Sequence, residues 1–257
     1  MQRLRLHYAK RGRLRFSSHR DFQRAFERAL RRAAVPMAYS AGFSPHPKVS
    51  YAGAAPTGVG SEAEYLEIGL AARCDPERLR LALDASLPPD LDVLEIVEVA
   101  PPPPNVKAPA LADRLQASVW EVRLEGVAPG EAAAAVEAFL ASERAEVSRM
   151  TKNGVRTFDT RAAVVSIGVA EAASRVAGGP CAILRVVVRH VTPAVRPDDV
   201  LAGLSAIGAL APPSAPLVVR LAQGPLDDET GTVSDPLAPD RDASTTQLSA
   251  PSSDGSD

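Results

Sequence analysis

Cysteine is scarce in this chain: Cys74 and Cys181 are the only two in 257 residues, and they lie far apart. That excludes a disulfide framework and a cysteine-only metal site, and it points to a reducing cytoplasm. Aromatic residues make up 4% of the sequence, so the core must be built from the small aliphatic contacts of Ala, Val and Leu. There is no run of about 18 apolar residues that could span a membrane. No apolar stretch follows the opening charges as it would in a signal peptide. A soluble, unexported protein without membrane contact is expected. Also lacking are a His-Glu-x-x-His pattern, clustered Cys and His, and the Lys-Ser/Thr of a phosphate-binding P-loop, so no metal and no cofactor is expected in this chain.

What is present is unevenly spread. The net charge of -2 conceals a basic segment, residues 1 to 50, with twelve Lys or Arg against Asp21 and Glu27, a net of +10. Residues 51 to 100 carry -7, and the stretch from Asp227 onward carries -7 again. Such a distribution sets up a local positive field on a nearly neutral protein, suited to an anionic partner. Three of the four histidines (His7, His19, His46) and eight of the eleven aromatic residues fall within the first 65 positions.

The alternation from Arg3 to Lys10 predicts a half-buried strand with Leu4, Leu6 and Tyr8 on one face. Phe22, Ala25, Phe26, Ala29, Leu30 and Ala33 then recur at helical spacing, behind a Ser18 to Asp21 capping box and ahead of Pro36. Strands follow at Val49 to Ala55 and Ala63 to Leu70, a helix after Asp75-Pro76, and a strand at Leu91 to Val99. The Pro-rich stretch from Ala100 to Asn105 reads as an extended linker. Behind it the order nearly repeats: a strand around Trp120, an Ala-rich helix from Gly130, a hairpin turning at Asn153-Gly154, an apolar run from Ala162 that adds a strand or short helix, a strand at Ala182 to Arg189, a helix from Pro197 and a strand at Leu217 to Leu221.

The expected fold is α+β: two tandem ferredoxin-like (βαββαβ) halves with antiparallel sheets, at 1–100 and 114–224, joined by a linker at 101–113. Residues 225–257 are too polar and acidic to offset chain entropy and are expected to be a disordered tail.

Four groups of residues could carry chemistry. Arg20, Arg24 and Arg28 step along the polar face of the first helix, beside a basic turn with Arg13. They suit phosphate tracking, although a solvated helix face carries the same charges. The segment Tyr39 to Lys48, with Tyr39, Phe43, His46 and Lys48, is irregular. If it folds over the helix, His19 and His46 could share general acid and base work on a phosphodiester. The turn at Gly58 and Gly60 can present amides to an anion, or simply connect two strands tightly. In the second half, Arg149, Lys152, Arg156 and Arg161 surround the hairpin turn near Phe158. Arginines interleaved with aromatics suit stacking on bases.

Ser18-His19-Arg20-Asp21-Phe22, Phe26-Glu27-Arg28-Ala29-Leu30-Arg31-Arg32-Ala33, the run Tyr39-Ser40-Ala41-Gly42-Phe43-Ser44-Pro45-His46-Pro47-Lys48 and Gly58-Val59-Gly60-Ser61-Glu62-Ala63-Glu64-Tyr65 resemble the uncharacterised radical SAM-linked protein family. The likeness is densest from 17 to 67 and extends to about 225. The resemblance implies a working connection to a radical SAM protein and no settled activity. This chain has no Cys-x-x-x-Cys-x-x-Cys, so it does not itself ligate the iron-sulfur cluster of such chemistry.

The leading expectation is a cytoplasmic accessory module that binds structured RNA, tRNA or rRNA, through the basic N-terminal surface. One alternative is an RNA-processing or RNA-modifying enzyme using His19 and His46. Another is a protein-interaction module for a radical SAM enzyme, without RNA contact.

Overall fold

The structure is a computed structural model that describes residues 1–99, 109–151, 154–170 and 179–249. It is a mixed α+β protein with mostly antiparallel strand pairing. The chain divides into two compact units that are discontinuous in sequence. Unit 1 comprises Met1–Thr57, Ala63–Arg114 and the segment from Asp235; unit 2 comprises Gly58–Glu62 and Leu115–Ser234.

Unit 1 contains β1 (Gln2–Lys10), a 3-10 turn at Gly12–Phe16, α1 (His19–Arg32), β2 (Val49–Ala52), most of β3 (Gly60–Leu70), α2 (Pro76–Asp84), β4 (Leu91–Glu98) and the short α3 (Leu111–Arg114). Its strands lie in the order β4-β1-β3, with β2 on the far side of β3. The β4-β1 and β2-β3 pairs are antiparallel. The apolar spacing read from the sequence explains the packing. Leu4, Leu6 and Tyr8 of β1 and Leu66, Ile68 and Leu70 of β3 meet Phe22, Phe26, Ala29 and Leu30 of α1 and Leu79 and Leu83 of α2 in one core. Successive strand side chains alternate between faces, so Arg3, Arg5 and His7, with Tyr65 and Glu67, point away from these two helices. The Pro-rich linker expected at Ala100–Asn105 lies outside the described residues.

Unit 2 contains β5 (Ala117–Glu125), α4 (Pro129–Ala141), β6 (Glu146–Thr151), β7 (Gly154–Asp159), a 3-10 turn at Arg161–Ala163, β8 (Val164–Val169), β9 (Cys181–Arg189), α5 (Pro197–Gly208) and β10 (Leu217–Gly224). The strand order is β10-β5-β9-β8, antiparallel throughout. The first residues of β3, Gly60 and Ser61, pair in parallel with Val219 and Arg220 of β10. β6 and β7 form a separate two-stranded hairpin, and the apolar run from Ala162 supplies β8. Trp120, Val122, Leu184, Val186 and Val188 face Val200 and Leu204 of α5 around an apolar space of about 230 Å3.

The C-terminal segment departs most from expectation. In place of a disordered tail from residue 225, Ala238–Ser249 forms α6, with Leu237 fully buried and Asp240 nearly so. Composition misled here because the segment docks by charge. Asp240 accepts hydrogen bonds from Arg5 and Arg114, an attraction between residues remote in sequence that local hydropathy does not register.

Candidate nucleic-acid interface

The basic stripe is set by how α1 starts. The Ser18 hydroxyl accepts the Asp21 amide at 3.2 Å and donates to the Asp21 carboxylate at 2.6 Å. That carboxylate also accepts the Ser18 amide at 3.3 Å, closing a capping box. The Ser18 hydroxyl, then its amide, hold the Asp21 carboxyl below the usual carboxylate range, with Arg24 adding to the effect. With the start pinned and Phe22 and Phe26 turned inward, Arg20, Arg24 and Arg28 fall on the outer face. All three are exposed, as is Arg13 in the preceding turn. Among the described residues none of these four closes a salt bridge.

The segment from Tyr39 to Pro47 folds back on itself as a small hairpin. Met37 bridges Leu70 and Tyr39 bridges Pro47; the Ser40 amide donates to the His46 carbonyl at 2.9 Å and the His46 amide to the Ser40 hydroxyl at 3.1 Å. Gly42 occupies a φ of +135° near the tip, a conformation that disfavours side chains. Phe43 beside it is fully exposed, Tyr39 is 56% exposed, and Phe16 in the basic turn is 59% exposed. Arg15 lies over the Phe16 ring at 4.4 Å. Lys48 is exposed while its amide donates to the Ala38 carbonyl.

His19 and His46 are not brought into contact. His19 meets the Tyr51 ring edge-on at 5.0 Å and lies 3.0 Å from the Gln23 amide nitrogen, whereas His46 belongs to the Tyr39–Pro47 hairpin ahead of β2. Burial, with the Glu27 carboxylate, pushes the Tyr51 phenol up. His19 does line a cleft with Tyr8, Lys10, Ser17, Ser18, Phe22, Ala54, Ala55 and Glu64, about 240 Å3 of space partly open to solvent. Lys10 and Glu64 are both buried. The Glu64 carboxylate accepts the Ala55 amide at 3.0 Å, and the Lys10 ammonium approaches the Ala55 and Pro56 carbonyls at 3.4 and 3.5 Å. The pair therefore anchors the β2–β3 loop above His19. From sequence, Lys10 falls at the end of the first strand and Glu64 within the strand at Ala63 to Leu70, neither with a role in a site. The signal was available: Glu64 shares its face with Leu66 and Ile68, so its carboxylate had to point inward.

The remaining expected residues lie in unit 2. Gly58 has a φ of +91° in the turn before β3. Gly60 is the buried first residue of that strand, opposite Val219, so it extends the sheet rather than a nest of free amides. Arg149 is tied down, paired with Asp199, donating to the Ala194 carbonyl at 3.1 Å and lying 4.9 Å above the Phe158 ring. Arg156, its cross-strand neighbour, is exposed. Arg161 is half-buried at the 3-10 turn, and Lys152 lies outside the described residues. Among the described residues no group of three or more His, Cys, Asp or Glu is arranged to hold a metal ion, and no helix is long and apolar enough to cross a membrane.

Residues 3–197 match the model of a family described as "Uncharacterized protein conserved in bacteria (DUF2344)". No curated protein matches the chain. Among solved structures, the "Crystal Structure of an Unknown Protein from Galdieria sulphuraria" is 15% identical, covering 80% of this chain and 92% of that one, with a TM-score of 0.24.

Proposed function

We propose that this chain, which belongs to the bacterial family of uncharacterized conserved proteins matched over residues 3–197, is an accessory module that binds structured RNA through the basic, aromatic-bearing surface of unit 1. The observation that carries the reading is the conjunction of exposed Phe16, Tyr39 and Phe43 with exposed Arg13, Arg20, Arg24 and Arg28. Cations that close no internal salt bridge are available to phosphates, and exposed rings are available to unstacked bases. The resemblance to radical SAM-linked proteins makes a radical SAM enzyme in the cytoplasm the proposed recipient of the RNA.

We read each unit as ferredoxin-like. The support is the element order βαββαβ with strand order β4-β1-β3-β2 in unit 1, and β10-β5-β9-β8 around an inserted hairpin in unit 2. The two-histidine enzyme is less favoured, because His19 and His46 have separate surroundings.

The test is titration of a labelled tRNA transcript at increasing salt. The unaltered chain should bind at low salt and weaken steeply as salt rises, and a triple Arg20→Glu, Arg24→Glu, Arg28→Glu variant should lose both the affinity and much of the salt slope. Equal binding by the triple variant would refute the assignment of this surface.

A further inference from the structure

The face of unit 1 turned away from α1 and α2 holds Arg3 and Arg5 of β1, Glu67 of β3 and Arg114 of α3. Arg5 is fully buried, which is tolerable for a guanidinium only when carboxylates surround it. One is Glu67, at 3.0 Å from Arg5 and 2.6 Å from Arg3. The other comes from the C-terminal segment. Arg5 Nη1 donates to both Asp240 oxygens at 3.0 and 2.8 Å, and Arg114 adds bonds at 2.6 and 3.2 Å. Two guanidinium groups thus converge on one anion, an arrangement that fits a phosphate as well as a carboxylate.

The segment Asp235–Ala243 is held over this face chiefly by charge. Arg114 also donates to the Pro236 carbonyl at 2.7 Å, and Arg241 reaches Glu95 at 2.8 Å and Asp235 at 2.7 Å. Its buried apolar anchors are Pro236 and Leu237, whereas α1 is seated by Phe22, Phe26, Ala29 and Leu30. The outer pairs of Arg241 with Glu95 and Asp235 are partly exposed and weaken with salt, whereas the buried Arg5–Asp240 pair yields only to an anion that replaces the carboxylate. With Asp240 withdrawn, Arg3, Arg5 and Arg114 face Glu67 with an excess of positive charge. The His7 and Tyr65 rings, stacked at 4.8 Å, lie on the same face.

We propose that the segment Asp235–Ala243 is an intramolecular competitor, with the Asp240 carboxylate occupying a site on Arg5 and Arg114 that an RNA backbone phosphate takes when the segment lifts. This rests on the RNA-binding reading above. It adds a second contact surface to the first and makes access to it conditional.

The test uses the full-length chain. Asp240→Asn keeps the shape of the side chain and removes its charge, and Leu237→Ala loosens the segment without touching the ion pairs, so each checks the other should one fold poorly. Against a labelled tRNA transcript, Asp240→Asn should bind about tenfold more tightly at low salt. The single positive charge released, with Arg5 still paired to Glu67, should steepen its log K against log salt slope by roughly 0.7 to 0.9. Leu237→Ala should shift the affinity in the same direction. In the unaltered chain, saturating tRNA should speed hydrogen exchange at the amides of Leu237 to Ala243. If the unaltered chain binds tRNA but both variants match it and the segment's exchange is unchanged, the competitor role is overturned and the RNA reading stands. If none of the three chains binds at low salt, both are overturned.

Discussion

Single residues in this protein carry roles that their chemistry explains once their neighbours are known. His190 of unit 2 is an example. The Leu115 carbonyl lies 2.7 Å from its Nδ1 and the Ser118 hydroxyl 2.8 Å from Nε2, a pattern that a neutral imidazole satisfies by donating at Nδ1 and accepting at Nε2. Burial lowers its pKa; the Leu115 carbonyl acts in the opposite sense, and the Arg220 guanidinium adds to the lowering. In the unfolded chain a histidine titrates near about 6.5. Below that pH the unfolded state takes up a proton that the folded state resists. The contribution of His190 to stability is therefore complete above about pH 6.5 and declines as the pH falls through that value toward the lowered folded pKa. Denaturant midpoints measured at several pH values from about 7.5 to 5 should fall on acidification, and His190→Asn should flatten that fall. Phe43 is the opposite case. Being fully exposed, it contributes nothing to the core, so Phe43→Ala should leave the melting temperature unchanged. If it stacks on a base, the substitution should weaken tRNA binding by about 1 to 3 kcal/mol; an unchanged affinity would remove Phe43 from the interface.

At the scale of elements, the helices differ in how far their sequence explains them. The apolar stripe of α1 and its Ser18 cap were legible because both depend on residues three or four apart. The approach of α5 to α4 was not legible, since it depends on missing side chains, at Gly208 against Ala135 most tightly. A Cβ on Gly208 would lie 2.6 Å from Ala135 Cα and 2.8 Å from its carbonyl oxygen, both part of the backbone of α4 and unable to rotate away. Gly208→Ala should cost about 1 to 3 kcal/mol through this overpacking, outweighing the gain in helix propensity of up to about 1 kcal/mol. Thermal unfolding of the variant checks it, and a stabilised variant would show that the helices can part without penalty. The β6–β7 hairpin is intermediate. Its strands followed from the Asn153-Gly154 signal, yet the salt bridge of Arg149 to Asp199 pairs a strand with a helix start, which the signal does not contain. Arg149, expected among the cations around the hairpin turn, is consequently a tether.

For the molecule as a whole, the basic segment, the aromatic-rich first 65 residues and the acidic C-terminal stretch were all visible as composition. What composition left open is which charges stay available. Arg3, Arg5 and Arg11 are consumed by Glu67, Asp240 and Asp92, while Arg13, Arg20, Arg24 and Arg28 are left facing outward. The α+β class, the order of strands and helices from β1 to β4 and the core stripe of α1 were determined by the sequence alone, because periodicity, caps and proline stops act between residues close in the chain. Only the tertiary structure decided that Lys10 and Glu64 enclose a cleft beside His19 while His46 stands apart, that residues 58–62 belong with unit 2, and that the segment from Asp235 belongs with unit 1. Those outcomes depend on which faces of distant segments meet, and a buried Arg5 selecting Asp240 from 235 residues away leaves no local pattern to read.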